Sequence, residues 1–589
     1  MTNDSLAKLF QKLAFYLEMD GVPFKPQAYE KASLTISTLE NDIEEIYKKE
    51  KREGLKKIPG VGEGIADKIE EFLKTGKIKE IQKYEKKYPL NLEELMEVEG
   101  IGPKTIKTLY QKLKIKDLKE LEKVALQGKI KNLEGFGKKS EKNILEAIEF
   151  LKRSKGRFLL GDAYYLAEKI TSELKKIKEI DKIIACGSLR RMKETIGDID
   201  LLATIKPAFA KASVGKKKVM DVFINLNGVI KVWDYGLTKS SVRFSKGIDA
   251  DLRVVESSEF GSALQYFTGS KEHNIVLRKI AIEKGLKLNE YGLFKGKKRI
   301  AGENEEKIYK TLGLSYIEPE LREDKGEIEA ALKNNLPQII DYNDIKGDLH
   351  CHSNWDGGAN PIEEMAEAAL KLNYKYLGIS DHTKFLRIEH GLDEKQLVAQ
   401  QREIEKLNEK FRIQKTEFRI LHGCETNILN DGNVDINDEV LKQLDYVIAG
   451  VHSSMKMSKE EMTERIIKAI KNPNIDIISH PTGRLINRRD EYLIDFDKIL
   501  RAAKEYSVAL EINSFPDRLD LNDKNIRKAI DYGVKLVINT DSHHLDQFCF
   551  MKFGIAQARR GWATKKDVIN TWPIEKLKNV FSSKKRMST

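Results

Sequence analysis

The 589-residue chain carries 104 Lys and Arg against 92 Asp and Glu, a formal net charge of +12, with 40% apolar residues and four cysteines. This length implies several domains, no apolar run approaches the about 18 residues of a membrane span, and four cysteines without a CxxC exclude a disulfide framework. Met1–Asp20 mixes Lys8, Lys12, Glu18 and Asp20 among its apolar positions, so it does not read as a signal peptide and a reduced, cytoplasmic protein is expected.

Charge and histidine are distributed unevenly. Residues 1–340 hold 65 Lys and Arg against 53 Asp and Glu, whereas residues 341–589 hold 39 of each. Of ten histidines only His273 precedes position 350. A basic front end suits a polyanionic partner, and a histidine-rich back end suits metal.

The first 150 residues repeat themselves. Leu55-x-x-Ile58-x-Gly60-x-Gly62 recurs as Leu95-x-x-Val98-x-Gly100-x-Gly102 and as Ile130-x-x-Leu133-x-Gly135-x-Gly137. An aliphatic residue follows nine positions after each first glycine: Ile69, Leu109 and Ile144. The spacing predicts helix, tight glycine turn, helix, used three times. Each turn leads into a helix N-terminus, where free N–H groups favour an anion, and Lys104, Lys138 and Lys139 flank the turns. The repeats resemble the helix-hairpin-helix motif, which implies binding of DNA backbones through Gly60, Gly62, Gly100, Gly102, Gly135 and Gly137, often with a monovalent cation on the hairpin carbonyls.

A second pattern begins at Lys182-Ile-Ile-Ala-Cys186-Gly187-Ser188-Leu-Arg190-Arg191 and continues as Gly197-Asp198-Ile199-Asp200-Leu-Leu-Ala. The apolar run predicts a buried strand, and Gly187-Ser188 a helix opening that offers N–H groups and a hydroxyl to phosphate. Asp198 and Asp200, two apart on a strand, face the same way and call for a divalent cation between them. Gly247-Ile-Asp249-Ala-Asp251-Leu-Arg253 is a second acidic strand that adds a third carboxylate. Three carboxylates around two Mg²⁺ ions suit in-line phosphoryl transfer.

Leu264-Gln-Tyr266-Phe267-Thr-Gly269-Ser-Lys271-Glu-His273-Asn274 narrows the reading. With the hairpins upstream, residues 1–315 resemble the family X DNA polymerases, the polymerase-beta-like group. The resemblance implies that Asp198, Asp200 and Asp251 are catalytic metal ligands. It assigns Gly187, Ser188, Arg191 and Gly197 to the triphosphate, Tyr266, Phe267 and Gly269 to the incoming sugar, and Asn274 and Arg278 to the nascent pair and template. Lys271 stands where eukaryotic relatives carry Asp. The resemblance also implies an abasic-site lyase whose Schiff-base nucleophile is Lys68, helped by Lys25 and Tyr29, although Glu63, Asp67, Glu70 and Glu71 crowd that lysine in sequence. Lys206–Lys218 reads as an inserted loop of basic and small residues.

Behind a polar stretch from Glu318 come His350-Cys-His352-Ser-Asn-Trp-Asp356, Asp381-His382, His422-Gly-Cys-Glu425, His452, His480, Glu511-Ile-Asn513 and Asp541-Ser-His543-His544, each at a short apolar strand. Apolar strands with helical stretches between them predict a β/α barrel with its polar groups at the strand C-terminal ends. This resembles the PHP (polymerase and histidinol phosphatase) domain, which binds up to three divalent ions, Zn²⁺, Mn²⁺ or Fe²⁺. The implied ligands are His350, His352, Asp356, His382, Glu425, His452, His480, Asp541 and His543, with Asp381, His390, His422 and His544 outside the ligand set.

The expected architecture is multidomain. Residues 1–80 form a helical domain with the first hairpin, 81–155 a helical DNA-binding domain with two more, and 156–256 an α+β nucleotidyltransferase palm. Residues 257–318 form a nucleotide-binding thumb, 319–343 a linker, and 344–575 a β/α barrel-like PHP phosphoesterase. The combination implies a monomeric polymerase that fills short DNA gaps in repair from dNTPs, with a PHP 3′-to-5′ exonuclease or 3′-end phosphatase. Two rivals stand beside it. A nucleotidyltransferase whose PHP domain hydrolyses a small phosphate ester has no need of hairpins. A non-catalytic DNA-end-binding scaffold has no need of the carboxylates.

Overall fold

The computed structural model describes residues 2–39, 42–58, 60–96, 98, 101–154, 156–207 and 213–586. Nine helices, from Thr2–Met19 to Lys138–Ser154, fill its first part among the described residues. Each presents an apolar stripe, such as Ile65, Ala66 and Ile69 on Glu63–Thr75 or Ile106 and Leu109 on Pro103–Leu113. The stripes meet in one continuous core that takes in Leu6, Phe10 and Leu13 of the first helix together with Ile69, Leu109 and Ile144. All three hairpins therefore share a single core.

A five-stranded sheet follows, in the spatial order Ile180–Ala185, Asp198–Ile205, Asp249–Val255, Lys239–Phe244, Val229–Tyr235. Helices Leu160–Lys175 and Ser213–Ile224 cover one face through Ala163, Ile170, Val219 and Phe223. The segment Lys206–Lys218 departs from the expected loop. Ser213–Lys218 is already the opening of a helix, because lysines are good helix formers and Val219, Met220 and Phe223 anchor the turn that follows. Residues 208–212 lie outside the described residues.

Helices Phe260–Thr268, Lys271–Glu283 and Glu305–Thr311 and a three-stranded antiparallel sheet make the next unit. Residues 319–343, read from sequence as a linker, are packed into it instead. Arg322 is fully buried, its Nη1 2.5 Å from Glu305 Oε1 and its Nε donating to the Ile317 carbonyl. Glu327 is fully buried as well and accepts from His273 Nδ1 at 2.7 Å. Ile328, Ala331, Leu336 and Ile339 join the same apolar core. A charged, polar segment reads as a tether only while its partners are unknown.

The last part is a closed barrel of parallel strands. Gly347–Cys351, Tyr376–Ile379 and Arg419–His422 form one sheet; Glu425–Asn427, Ile448–Gly450, Ile477–Ile478, Ala509–Asn513 and Leu536–Asn539 form the other. The bridges Cys351–Ser542 and His382–Glu425 join the two at their margins. Inside lie Leu349, Tyr376, Leu421, Tyr446, Ile448, Ile477 and Val537, and the helix Ile574–Arg586 plugs one end with Leu577 and Phe581.

The barrel and the palm are joined by more than the chain. Ile486, Leu519, Phe553 and Ala556 belong to the palm's own core, and Arg484 binds Glu194 at 2.8 Å. No described helix is long and apolar enough to cross a membrane.

Candidate active sites

The hairpins have one geometry. Val61, Ile101 and Phe136 donate backbone N–H to the carbonyls of Ile58, Val98 and Leu133, at 3.0, 3.3 and 3.0 Å. Gly60 and Gly135 adopt φ of +78° and +82°, the left-handed region that favours glycine. Gly62 and Gly102 cap the helices Glu63–Thr75 and Pro103–Leu113 in extended conformation without a side-chain acceptor. A Cβ placed at Gly62, Gly102, Gly135 or Gly137 would meet nothing within 4 Å. These glycines are thus dispensable for packing, and they leave bare backbone N–H groups at a helix N-terminus for a phosphate to approach. In the third copy the buried Glu141 carboxylate fixes the preceding turn by accepting from Ile130 and Lys131 N–H. Gly100 lies outside the described residues.

Lys68 is held differently from what its sequence neighbours suggest. Its ammonium lies 2.8 Å from Glu80, a partner twelve residues on. Glu63 and Asp67 are taken by Arg52, and Glu70 by Lys74 and Tyr47. Tyr29 is buried near Glu80, and Lys25 opens its helix in an exposed position. To attack a sugar aldehyde the Lys68 amine must first leave this partner.

The palm carboxylates sit in neighbouring registers of two parallel strands. Asp198 pairs across with Asp249, and Asp200 with Asp251. Burial, then the charges of Asp198 and Asp251, push Asp200 up to about 6, and burial with Asp251 raises Asp198. Carboxylates that resist ionisation in each other's presence are completed by cations, and an all-oxygen set of this kind suits Mg²⁺. Lys239 supplies one positive charge, 3.1 Å from Asp251 Oδ2. Asp249 stands apart: Arg243 grips both its oxygens, at 2.7 and 2.8 Å, and holds its pKa down.

Gly187 lies against Asp200 at φ +61°, and a Cβ there would collide with that carboxylate. The short turn Gly187–Arg190, which carries Ser188 and is followed by Arg191, thereby packs against Asp200, with Gly197 directly before Asp198. Arg191 Nη1 donates to the Thr268 carbonyl and would lie 3.0 Å from a Cβ at Gly269, so the Gly187 and Gly269 motifs meet here. Tyr266 and Phe267 pack edge to face at 5.1 Å, and the Arg253 guanidinium lies 4.5 Å from the Phe267 ring centre. The Asn274 amide is engaged, accepting from Gln265 at 2.6 Å and donating to the Tyr266 carbonyl at 2.8 Å. Arg278, half-buried, lies one turn beyond it on the same helix. Lys271 is exposed at the first position of that helix.

The barrel's histidines converge on two carboxylates. Glu425 lies within 2.9–3.4 Å of His382 Nδ1 and of Nε2 of His350, His452 and His480. Asp541 Oδ1 is 3.3 Å from His352 Nε2 and 3.6 Å from His350 Nε2. His543 stacks on His352 at 4.0 Å. His350 Nε2, His352 Nε2, His382 Nδ1, His452 Nε2 and Glu425 Oε2 are buried without hydrogen-bond partners. Buried donors left open toward one space, nitrogen and carboxylate together, fit divalent transition ions.

Asp356 binds the far side of His352, Oδ2 to Nδ1 at 2.7 Å, and accepts from the backbone of His382 and Gly358. With His352 and Asp381 it forms a group that could hold a metal ion, and it also orients the His352 imidazole. Two residues outside the expected ligand set share this role: Glu511, named in the sequence without a role, 2.7 Å from His350 Nδ1, and Asn427, which sequence reasoning missed, 2.8 Å from His452 Nδ1. Asp381 accepts from Ser353 and Gln400, and Gln400 also holds His422. His544 caps the turn after it, and His390 is exposed.

Comparison with known proteins agrees with this layout. The chain matches the helix-hairpin-helix domain family over residues 1–78, the SAM-like helix-hairpin-helix tandem over 92–149 and the DNA polymerase beta palm over 162–238. It matches the DNA polymerase beta thumb over 263–323 and the PHP domain over 348–515. It is 37% identical, across all of both chains, to the DNA polymerase/3′-5′ exonuclease PolX of Bacillus subtilis. It is 34% identical over 175 residues to a probable phosphatase of Caldicellulosiruptor bescii, covering 29% of this chain and 66% of that one. A probable phosphatase of Shewanella putrefaciens shares 46% over 98 residues, 16% of this chain and 37% of its own. With hairpins, palm, thumb and barrel all in place, the chain belongs to the family X DNA polymerases that carry a C-terminal PHP domain.

Proposed function

We infer that this enzyme fills short gaps in DNA during repair and trims or dephosphorylates 3′ ends at a second centre. The observation that carries the first half is the register of Asp198, Asp200 and Asp251, three carboxylates on adjacent strands beside the Gly187 turn. Asp198, Asp200 and Asp251 would hold two Mg²⁺ ions, and the bound metal would supply activation of the attacking 3′ hydroxyl and charge neutralisation for the leaving pyrophosphate. The chain itself orients the reactants. Gly187, Ser188, Arg191 and Gly197 hold the triphosphate, Tyr266, Phe267 and Gly269 the sugar, Asn274 and Arg278 the nascent pair and template. The hairpins at Gly60, Gly62, Gly102, Gly135 and Gly137 grip the backbone whatever its sequence.

In the barrel, His350, His352, Asp356, His382, Glu425, His452, His480, Asp541 and His543 would hold up to three Zn²⁺ or Mn²⁺ ions, which would supply an activated water and neutralise a phosphate. Asp356, Glu511 and Asn427 set the imidazole orientations. The Bacillus relative's name supports exonuclease action, and the names of the barrel's other relatives support removal of a 3′ phosphate. The protein acts as a monomer in the cytoplasm.

The test is extension of a primer across a one-nucleotide gap with dNTPs and Mg²⁺, beside degradation of 3′-hydroxyl and 3′-phosphate ends with Mn²⁺. Template-directed addition and 3′-end hydrolysis are both expected. A chain that binds gapped DNA and performs neither is the scaffold.

A further inference from the structure

The end of the barrel that gathers the histidines also carries a loop, residues 383–391, outside the chemistry above. It leaves His382 and returns to it, since Leu392 donates its N–H to the His382 carbonyl at 2.7 Å. One buried carboxylate fixes its base. Asp435 accepts from Thr383 Oγ1 at 2.7 Å and from the Phe385 N–H at 2.8 Å. The same group accepts from the Asn427 N–H at 2.8 Å, and Asn427 holds His452. Two glycines close the remaining gaps. A Cβ at Gly391 would strike the Thr383 carbonyl across the neck of the loop, and a Cβ at Gly357, beside Asp356, would strike the Glu389 carboxylate. The loop is thus tied to the same segments that carry His382, Asp356 and Glu425–Asn427.

What this fixed base holds out to solvent is apolar. Phe385 is 45% exposed and Ile388 84% exposed, with the exposed Arg387 between them. Single apolar residues scattered over a surface are ordinary. Two of them held together on a rigid loop beside metal-binding groups call for an occupant. The histidines and carboxylates within suit the phosphate of a substrate, and they leave its base to the surroundings of the cluster.

The hairpins bring DNA to this place. On helix Lys25–Thr38, Lys31 lies against the first hairpin, its Cγ 3.3 Å from a Cβ placed at Gly60. Its neighbour Glu30 faces the loop: burial, then the charges of Glu18 and Glu389, raise the Glu30 pKa. Like charges keep this helix from closing on the loop. A strand gripped at Gly60 and Gly62 therefore passes beside Phe385 and Ile388.

We propose that residues 383–391 seat the last bases of the DNA strand being trimmed, with the terminal base stacked on Phe385, Ile388 against the next base and Arg387 on the phosphate between them. Every base has a π face, so the seat takes any 3′-terminal base. The proposal rests on the reading of the barrel as a 3′-end hydrolase, and the test keeps the two apart.

The test uses the full chain and a single-stranded oligonucleotide. With EDTA present, 2-aminopurine at the 3′ end is expected to lose fluorescence on binding the parent chain and to keep it with Phe385→Ala. With Mn²⁺, Phe385→Ala is expected to raise the KM for shortening about tenfold, within the range for losing one aromatic–base stack, with kcat near the parent value. Phe385→Tyr keeps a ring and is expected to restore the KM. The decisive arm removes the base instead of the ring. An oligonucleotide ending in abasic tetrahydrofuran residues should show a KM about tenfold higher with the parent chain, and Phe385→Ala should raise it no further. An equal penalty from Phe385→Ala on both oligonucleotides overturns the seat, because the ring would then act without the base. So does 2-aminopurine fluorescence that Phe385→Ala leaves quenched. A KM unmoved by Phe385→Ala with a lowered melting temperature also overturns it, and assigns the loop to packing within the chain. A parent chain that quenches 2-aminopurine yet shortens no 3′ end would instead overturn the reading of the barrel and leave the seat standing.

Discussion

Arg191, which the proposed function assigns to the triphosphate, donates from Nε to Glu323 Oε1 at 2.9 Å, and Glu323 is held in turn by Arg560 of the barrel half at 3.1 Å. Arg560 also binds Asp523 at 2.7 Å and the Arg191 carbonyl at 2.9 Å. A nucleotide that recruits the Arg191 guanidinium must compete with a carboxylate. Glu323→Gln is therefore expected to lower the KM for dNTP about fivefold, near 1 kcal/mol and the size of one ordinary hydrogen bond. Arg191→Ala is expected to raise it. Gap-filling kinetics on both variants give the answer, and an unchanged KM in Glu323→Gln would mean that Arg191 does not reach the triphosphate.

The hairpins give a prediction that separates packing from recognition. The space around Gly62 and Gly102 is open and their φ values are −82° and −83°, so valine fits there without a clash. Gly62→Val and Gly102→Val should leave the melting temperature unchanged and weaken binding to duplex DNA. Affinity of the parent chain should fall with salt at a log–log slope of about −0.9 per phosphate neutralised. A fluorescence-anisotropy titration at three salt concentrations measures both, and a salt-independent affinity would contradict backbone recognition.

Lys68 is expected to be a poor lyase nucleophile because its Nζ is paired with Glu80 at 2.8 Å and must leave that partner to reach a sugar aldehyde. Borohydride trapping on abasic DNA should be weak in the parent chain and stronger in Glu80→Gln, which relieves the ion pair. Trapping unaffected by Lys68→Ala would move the nucleophile elsewhere.

Glu305 neutralises two arginines, Arg190 at 2.7 Å and the fully buried Arg322 at 2.5 Å, and their charges hold its pKa down to about 2 against the opposing effect of burial. Glu305→Ala leaves buried cations without a partner and is expected to cost about 3–5 kcal/mol of stability. Urea unfolding followed by tryptophan fluorescence reads this directly. A loss under 1 kcal/mol would mean that water reaches Arg322.

What the sequence made legible was what is local. Asp198 and Asp200, two apart in an apolar strand, show their shared face within one segment, and the three glycine turns announce themselves by repetition. The barrel histidines were legible because each ends a short apolar run. The partnerships of Arg322 with Glu305, Arg191 with Glu323 and Lys68 with Glu80 were not, because ion pairs between distant segments follow no period. The same blindness turned residues 319–343 into a linker, when their charges are buried against partners the pattern does not show. Asp356 was placed among the ligands by type and position, and that it also holds His352 Nδ1 was not legible.

The central claim is that one chain holds two independent metal centres, one that adds nucleotides and one that removes 3′ ends. The most direct measurement follows a single labelled primer in a one-nucleotide gap, with dNTPs for extension and without them for shortening, in the parent chain, Asp200→Ala and His352→Ala. Asp200→Ala should lose extension while shortening the primer at the parent rate, and His352→Ala should do the reverse. Loss of both activities in either variant, with its melting temperature and DNA affinity unchanged, would contradict the account.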